Sequence, residues 1–308
     1  MSDNNNLPQK KDSAGLALQK TGSLLSITDK ILANRTQKTL VVNDDAWLDE
    51  LIAWADKNNI SKDNFPRDKQ AILALAALGL WSSKITDFPE TICNLTNLTV
   101  LSLADNNLTE LPESIGKLTN LTTLNLWDNQ LTKLPESIGK LTNLTYLDLD
   151  SNQITKLPDS IGNLTNLTEL DLGNNQLTEL PESTGKLTNL TEVFLQDNRL
   201  RELPESIGKL VNLIRLDLDS NALTKLPESI GRLANLNVLN LDSNELTELP
   251  ESIGKLMNLA WLTLGYNKLT KLPESIGKLT NLTKLYLYKN PIKSLPPELS
   301  HLRKITKF

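Results

Sequence analysis

Few side chains in this sequence are of the types that enzymes use as nucleophiles or that proteins use as zinc ligands. The 308 residues include one cysteine, Cys93, and one histidine, His301. A disulfide within the chain and a cysteine–histidine zinc site both need more of these residues. A serine–histidine or cysteine–histidine catalytic pair could be built only on His301, and no phosphate-binding loop of the G-x-x-x-x-G-K type occurs. We therefore predict a protein that has no catalytic activity of its own and needs no cofactor.

Carboxylates and aromatic rings are the side chains that could bind a partner, and their spacing is regular. Asp148 and Asp171 stand 23 residues apart, and so do Asp219 and Asp242. Clustered carboxylates attract basic groups or hard cations, and exposed aromatic rings serve as anchors in binding interfaces. The candidate partner-binding residues are Trp127, Tyr146, Asp148, Asp150, Glu169, Asp171, Glu192, Phe194, Asp217, Asp219, Asp242, Trp261, Tyr266, Tyr286 and Tyr288.

The spacing of 23 residues belongs to a repeat that fills most of the chain. Ten units run from Leu75 to Lys304 without an insertion, and each reads approximately L-x-x-L-x-L-x-x-N-x-L-T-x-L-P-E-S-I-G-K-L-T-N. One unit is too short to bury its apolar residues alone, whereas stacked units share a continuous core. The repeat therefore predicts an elongated array of similar units.

Each recurring residue of the unit that begins at Leu121 has a predicted structural role. Leu124 and Leu126 alternate with outward residues, as in a β-strand. Asn129 can satisfy the backbone of the turn that leaves the strand. Pro135 ends the pairing and can open a helical turn, and Gly139 is expected to permit the turn that follows.

The unit resembles the leucine-rich repeat in its 23-residue "typical" form. The L-P-x-x-I-G-x-L half is similar to bacterial repeats and to the intracellular Ras-group repeat proteins of animals and plants. This resemblance covers about three quarters of the chain. It implies an α/β solenoid that is curved, with a parallel sheet on the concave face and short helical turns on the convex face. It also implies a binding scaffold, because the family mostly supplies such scaffolds.

Three segments are predicted along the chain. Residues 1–40 form a flexible or weakly helical N-terminal segment, in which the apolar residues of 22–35 favour a short helix. Residues 41–74 form a helical N-terminal cap, and residues 75–308 form the ten-unit solenoid. In the cap, Trp47, Leu51 and Ile52 recur at helical spacing and are expected to be buried. A second cap helix is expected to start at Pro66.

The candidate residues occupy positions 3, 5, 7 and 8 of the units, counted from the leucine that opens each unit. Stacking does not need these positions, and they are expected to face solvent on the concave face. With Trp81 they include eight of the 13 aromatic residues, which core packing does not explain. Any single Asp is better explained by a solvated surface, but the whole pattern favours binding. Calcium is a further alternative, although no D-x-D-x-D-G loop occurs.

These observations predict a non-catalytic protein–protein interaction scaffold, whose acidic and aromatic concave face binds a protein or peptide with a basic surface. One alternative is a signalling regulator, or a delivered bacterial effector, that acts on a GTPase-like or kinase-like partner. Another is the substrate-recognition subunit of a separate enzyme. The net charge of −5 and the absence of a basic stripe argue against nucleic-acid binding.

No run of 18 apolar residues occurs, so we expect no membrane span. The first residues lack the apolar core of a signal peptide. We therefore expect a cytoplasmic protein, or one delivered to another cell without a cleaved signal.

Overall fold

The computed structural model describes residues 45–293, 295 and 297–307. The chain divides into two compact units, residues 1–47 and 48–308, and only residues 45–47 of the first are described. The predicted N-terminal segment 1–40, with its helix at 22–35, lies outside the described residues. So do residues 41–44 of the predicted cap.

Helix α1 spans Ala46–Lys57 and begins directly after Asp45. Its buried residues are Leu48, Leu51, Trp54 and Ala55. The expectation for Leu51 is confirmed. Trp47 and Ile52, which we also expected to be buried, are only half-buried, because the buried face of the helix is turned toward Trp54.

Helix α2 spans Lys69–Leu73. It begins three residues after Pro66, because the carboxylate of Asp68 accepts a 2.8 Å hydrogen bond from the backbone N–H of Ala71 and so caps the first turn. The guanidinium of Arg67 donates at 2.7 Å to Asp56 in α1 and at 2.7 Å to the carbonyl of Ile60. This arginine therefore fixes the connection between the two helices.

The repeats form one parallel sheet of eleven strands in chain order. The strands are β1 Ala77–Gly79, β2 Val100–Ser102, β3 Thr123–Asn125, β4 Tyr146–Asp148, β5 Glu169–Asp171, β6 Glu192–Phe194, β7 Arg215–Asp217, β8 Val238–Asn240, β9 Trp261–Thr263, β10 Lys284–Tyr286 and β11 Thr306–Lys307. Partners in β1 to β10 stand 23 residues apart, as Leu124 and Leu147 do, so the predicted register is confirmed. We expected ten strands, and the eleventh arises because Thr306 pairs with Leu285.

Short 3₁₀-helices return the chain between strands. They span Glu90–Asn94, Glu113–Lys117, Glu136–Lys140, Asp159–Asn163, Glu182–Lys186, Glu205–Lys209, Glu228–Arg232, Glu251–Lys255, Glu274–Lys278 and Pro297–Lys304. Pro135 precedes one of them in extended geometry, with φ −70° and ψ 150°. Its predicted role, ending the pairing and opening a helical turn, is confirmed. Consecutive 3₁₀-helices pack against one another, as consecutive strands do, and form the turn face of the solenoid.

Gly139 is needed for a different reason from the one that the sequence suggested. None of the described glycines has a positive φ, so no left-handed turn depends on it. A Cβ atom at Gly139 would lie 2.5 Å from the carbonyl oxygen of Ser160 and 2.7 Å from its Cβ. The glycine therefore lets two neighbouring 3₁₀-helices approach closely.

The recurring asparagine satisfies the backbone of the turn that leaves the strand, as predicted, and it also bonds neighbouring units together. The Oδ1 atom of Asn129 accepts from the N–H of Leu108 at 3.0 Å. Its Nδ2 donates to the carbonyls of Leu103, Leu126 and Trp127 at 2.9–3.2 Å. Equivalent bonds occur from Asn106 to Asn290. Because Asn129 is buried, these bonds satisfy backbone groups that water does not reach.

Candidate functional site

The candidate residues lie along the sheet and in the loops that follow the strands, a surface that we call the sheet face. At position 3 are Tyr146, Glu169, Glu192 and Trp261; at position 5 are Asp148, Asp171, Phe194, Asp217 and Tyr286; at position 7 are Trp127, Asp150, Asp219, Asp242 and Tyr288; and at position 8 is Tyr266. These four positions differ in exposure and in backbone conformation. The expectation that all face solvent is wrong for position 5, and it is also wrong for Asp150 and Asp242 at position 7, which are 8% and 6% exposed.

Position 5 is buried in every unit from Ser102 to Tyr286, and Asp171 is 0% exposed there. At this position an Asp or Asn side chain has a structural role. The Oδ1 atom of Asp148 accepts from the N–H of Asp150 at 3.0 Å, and that of Asp171 accepts from Gly173 at 3.0 Å. The strand ends at position 5, so the N–H of position 7 needs a partner outside the ladder. The repeated carboxylates at position 5 are therefore partly explained by folding.

Position 8 has a left-handed backbone. Its φ angles run from 48° at Asn174 to 58° at Lys289. Asp and Asn tolerate this conformation better than most other non-glycine residues, which explains why they recur here. Tyr266 departs from this pattern, with φ 51° and 55% of its surface exposed. An aromatic residue in this conformation is not explained by folding.

Several candidate side chains in the middle of the sheet face bond to one another. The hydroxyl of Tyr146 donates to Asp148 at 2.9 Å. The guanidinium of Arg215 pairs with Asp217 at 3.1 Å and lies 4.9 Å from the ring centroid of Phe194. Phe194 is buried, so its predicted role as an exposed anchor is wrong in the described chain.

Three carboxylates, from the same unit and from the two neighbouring units, gather around Asp219. Its pKa is raised to about 6, first by burial and then by repulsion from Asp217, Asp242 and Asp197, while a hydrogen bond from Ser243 acts in the opposite direction. The Oδ1 atom of Asp219 is buried and has no hydrogen-bond partner among the described residues. We call Asp197, Asp217, Asp219 and Asp242 the carboxylate cluster.

The pKa values of Asp197 and Asp242 are raised as well. Burial raises the pKa of Asp197, repulsion from Asp150 and Asp217 adds to the increase, and a hydrogen bond from Ser220 opposes it. Burial also raises the pKa of Asp242, although bonds from Tyr288, Gly265 and Thr263 lower it. The cluster is therefore a place where negative charge is held at a free-energy cost. Position 8 contributes Asp197, which the sequence analysis did not name.

The C-terminal end of the sheet face is aromatic and contains basic side chains. The ammonium of Lys284 lies 3.5 Å from the ring centroid of Trp261, and that of Lys307 lies 5.3 Å from Tyr286. Tyr266 and Tyr288 make an edge-to-face pair with centroids 5.3 Å apart. These cations reduce the acidic character of the sheet face near its end.

The exposed aromatic anchors are well separated. Trp127 is 39% exposed and stands six units before Tyr266, or roughly 29 Å at a strand spacing of about 4.8 Å. The structure therefore brings the carboxylate cluster close to Tyr266 and leaves Trp127 at some distance. A ligand that touches both aromatic rings must extend along the array.

Neither a metal centre nor a membrane helix is found in the described part of the chain. Among residues 45–293, 295 and 297–307, no three or more His, Cys, Asp or Glu side chains are grouped so that they could hold a metal ion. Within the same residues, no helix has the length and apolarity needed to cross a bilayer.

Two family models match the repeats. The model described as "Leucine-rich repeat region" matches residues 61–145, 133–218 and 193–264. The model described as "Leucine Rich repeats (2 copies)" matches residues 258–304. The comparison with curated proteins gives no match.

Solved structures with a similar fold include receptor and bacterial proteins. The ectodomain of the plant membrane receptor kinase GASSHO1/SCHENGEN3 from Arabidopsis thaliana, in complex with CASPARIAN STRIP INTEGRITY FACTOR 2, gives a TM-score of 0.68 at 32% identity, over 76% of this chain and 30% of that one. The functional domain of InlJ from Listeria monocytogenes gives 0.64 at 33% identity, over 74% and 48%. PEPR1–AtPEP1 gives 0.59 at 32% identity, over 71% and 35%. This chain thus spans less than half the length of each.

Proposed function

The chain belongs to the leucine-rich repeat proteins, and we propose that it is a non-catalytic scaffold that binds a basic segment of a protein or peptide on its sheet face. The carboxylate cluster around Asp219 is the observation that carries this proposal. Stacking of the units does not require acidic residues at position 7, where other units hold Trp127, Gly173 or Gln196. The acidic residues at position 7 must therefore contribute something other than stability.

A lysine or arginine side chain matches what the cluster lacks. Three further carboxylates raise the pKa of Asp219. A guanidinium or ammonium group placed beside the cluster would offset this repulsion, and charge-assisted interactions of this kind are among the stronger ones. The same field would speed the approach of a basic partner.

Tyr266 is the aromatic anchor nearest to the cluster. Its neighbour Tyr288 bonds to Asp242, a member of the cluster. Tyr266 is 55% exposed, and its backbone adopts a conformation that is unfavourable for an aromatic residue. Exposed tyrosines often dominate the binding energy of an interface. Binding of a partner is also consistent with the structural relatives, since the GASSHO1/SCHENGEN3 ectodomain was solved in complex with CASPARIAN STRIP INTEGRITY FACTOR 2.

A displayed library of random peptides, selected on the immobilised full chain, tests the proposal. We expect the selected peptides to be enriched in Lys and Arg and to bind more weakly as salt increases. The double variant Asp219→Asn, Asp242→Asn should lose most of this binding. The turn-face variant Glu136→Gln, Lys140→Gln, which changes two exposed charges, should keep it. Equal loss in the two variants, or peptides without basic residues, would contradict the proposal.

A further inference from the structure

A cleft at the N-terminal end of the sheet face is basic, unlike the middle of that face. It lies between the end of helix α1 and the loop that follows strand β1, and its volume is about 650 Å³. Its lining includes Lys57, Asn59, Asn64, Trp81, Ser82 and Lys84. We call it the N-terminal cleft. No described residue that lines it is acidic, so its charge is opposite in sign to that of the carboxylate cluster.

The two lysines of the N-terminal cleft are available to an anionic group. Both are exposed, and neither Lys57 nor Lys84 forms an ion pair with a described residue. The acidic residue that precedes Lys57 is Asp56, which is itself paired with Arg67 at 2.7 Å. Asp105, at position 8 of the next unit, does not line the cleft. The described lining therefore holds positive charge that it does not neutralise.

Lys84 has a backbone conformation that is unfavourable for a lysine. Its φ is 56°, and no other described residue at position 10 of a unit is left-handed. The loop curls here because the Oδ1 atom of Asn106 accepts from the N–H groups of both Ser83 and Ile85, at 3.1 and 3.0 Å. Asparagine or glycine would adopt this conformation at a lower free-energy cost. Strain of this kind concentrates at functional sites, so the ammonium group serves something other than the loop.

Trp81 adds an apolar surface beside the two lysines. It is 53% exposed, and its indole makes no aromatic or cation–π contact with a described residue. It occupies position 7, as Asp219 and Asp242 of the carboxylate cluster do. The cleft and the cluster therefore lie along one line of the sheet face. Six strands separate Trp81 from Asp219, or roughly 29 Å at about 4.8 Å per strand.

We propose that the N-terminal cleft binds an Asp or Glu side chain of the same partner segment whose basic residues bind the carboxylate cluster. This inference rests on the proposed function, since it takes a protein segment to lie along the sheet face. An extended chain advances about 3.3 Å per residue, so about nine residues span this distance. The partner therefore carries an acidic residue about nine positions from its Lys or Arg, and a neighbouring apolar residue packs on Trp81.

The charge of the molecule favours such a mixed segment over a polyanion. A segment with both acidic and basic residues has little net charge, so the net charge of −5 on the scaffold does not repel it. A nucleic acid needs a larger set of Lys and Arg than the two lysines of the cleft. Opposite charges at two separated places also fix the direction in which the segment lies.

A displayed library of random peptides of about 16 residues, selected on the immobilised full chain, tests the proposal. We expect the selected peptides to carry Asp or Glu about nine positions from Lys or Arg. The double-lysine variant, Lys57→Gln, Lys84→Asn, should bind them about tenfold more weakly or worse, and so should Trp81→Ala. Lys84→Asn alone should not lower the thermal midpoint, because asparagine suits the left-handed backbone.

Two control variants separate charge in the cleft from other changes. Lys62→Gln, Lys133→Asn removes two exposed lysines that lie outside the cleft and should bind like the wild type. Ser82→Asn exchanges one uncharged polar side chain of the cleft for another and should do the same. A selected peptide whose acidic residue is changed to its amide should bind the wild type more weakly, by the same factor as the double-lysine variant weakens binding. The combination of both changes should weaken binding no further.

The outcomes distinguish this inference from the proposed function. Basic peptides that lack an acidic residue at a constant distance, or that bind the double-lysine variant as tightly as the wild type, would overturn the inference and leave the proposed function standing. Peptides without basic residues would overturn both. Losses that add when the lysine and peptide changes are combined would place the acidic contact outside the cleft. A heparin oligosaccharide that binds the wild type more tightly than the peptides do, and does not bind the double-lysine variant, would assign the cleft to an acidic sugar.

Discussion

The phenol of Tyr288 donates a 2.5 Å hydrogen bond to Asp242, which lies two strands away in the sheet. The ring lies over the unit between them because Gly265 has no side chain there, and a Cβ at that glycine would be 2.8 Å from a ring carbon. The other carboxylate oxygen of Asp242 accepts from the N–H of Gly265 at 2.6 Å. Tyr288 therefore ties three consecutive units together and orients a member of the carboxylate cluster.

Replacing Tyr288 with phenylalanine should destabilise the protein through this one bond. The change removes a donor to a buried carboxylate, and such bonds contribute about 1–3 kcal/mol. The pKa of Asp242 should also rise further, because the Tyr288 bond lowers it. Urea unfolding at neutral pH measures the free-energy change. Tyr266→Phe is the matched control, since no bond of the Tyr266 hydroxyl is found in the described residues; an equal loss there would show that the hydrogen bond is not the cause.

The buried asparagine at position 9 should be much less replaceable than the surface asparagine at position 23. Asn129 makes four hydrogen bonds to backbone groups of two units, whereas Asn120 makes one exposed bond to the carbonyl of Thr96. Asn129→Ala leaves several buried groups unsatisfied and should cost about 3 kcal/mol or more, while Asn120→Ala should cost about 1 kcal/mol or less. Urea unfolding of both variants compares them. A similar loss of unfolding free energy in the two variants would contradict the structural role assigned to the asparagines at position 9.

The fold was predictable because the same pattern of residues recurs in each of the ten units. A residue that returns every 23 positions must occupy equivalent places in a stack, so Leu124, Asn129 and Pro135 could be assigned without coordinates. The role of Gly139 could not be assigned from the sequence, because a left-handed turn and a close approach of two segments both favour glycine. Only the position of Ser160 in the next unit distinguishes them.

Two alanine substitutions should show that space, not backbone conformation, requires glycine in the 3₁₀-helices. Gly139→Ala places a methyl group 2.5 Å from the carbonyl oxygen of Ser160, and overpacking of this kind typically costs about 1–3 kcal/mol. Gly79→Ala meets no atom within 4 Å and should be neutral or slightly stabilising. Thermal unfolding compares the two variants. A tolerated Gly139→Ala would mean that adjacent 3₁₀-helices can separate freely.

The candidate site was predictable in composition but not in detail. The sequence identified the carboxylates of the sheet face, yet it gave no sign that Asp148 and Asp171 cap backbone N–H groups. It also treated position 8 as free, although its left-handed φ restricts it. Both effects depend on where the strand ends, which the pattern of leucines does not reveal.

Asp219 should make the stability of the protein fall as pH rises from about 4 to about 6. Its folded-state pKa of about 6 lies above the ordinary 3.8, so the folded protein binds the proton more tightly than the unfolded chain. The protonated carboxyl group of Asp219 therefore favours the folded state below about pH 4, and its negative charge opposes folding above about pH 6. Asp219→Asn should stabilise the protein at pH 7 by roughly 1 kcal/mol, a value reduced for solvent screening.

Urea unfolding of Asp219→Asn and the wild type between pH 4 and pH 8 measures this effect. The difference between the two proteins should grow with pH up to about 6 and then stay constant. A carbon-13 titration of the Asp219 carboxyl group checks the pKa directly. A difference that shrinks with rising pH would reverse the assigned sign.

Tyr266 should separate stability from binding. Asparagine suits the left-handed backbone at this position, as Asn174 shows in an earlier unit, and this change should recover up to about 1 kcal/mol. The variant loses the edge-to-face contact with Tyr288, which is worth about 0.5–1.5 kcal/mol. These effects nearly cancel, so Tyr266→Asn should change the free energy of unfolding by less than about 1 kcal/mol.

The affinity of Tyr266→Asn for a selected basic peptide should nevertheless fall by about 2 kcal/mol or more if the ring is an anchor. Ser82→Asn, at the same position of the first unit with φ 52°, should preserve both quantities. Calorimetric titration and urea unfolding of the two variants provide the comparison. Unchanged affinity in Tyr266→Asn would remove this residue from the binding site, and a large loss of stability would assign its ring to the fold.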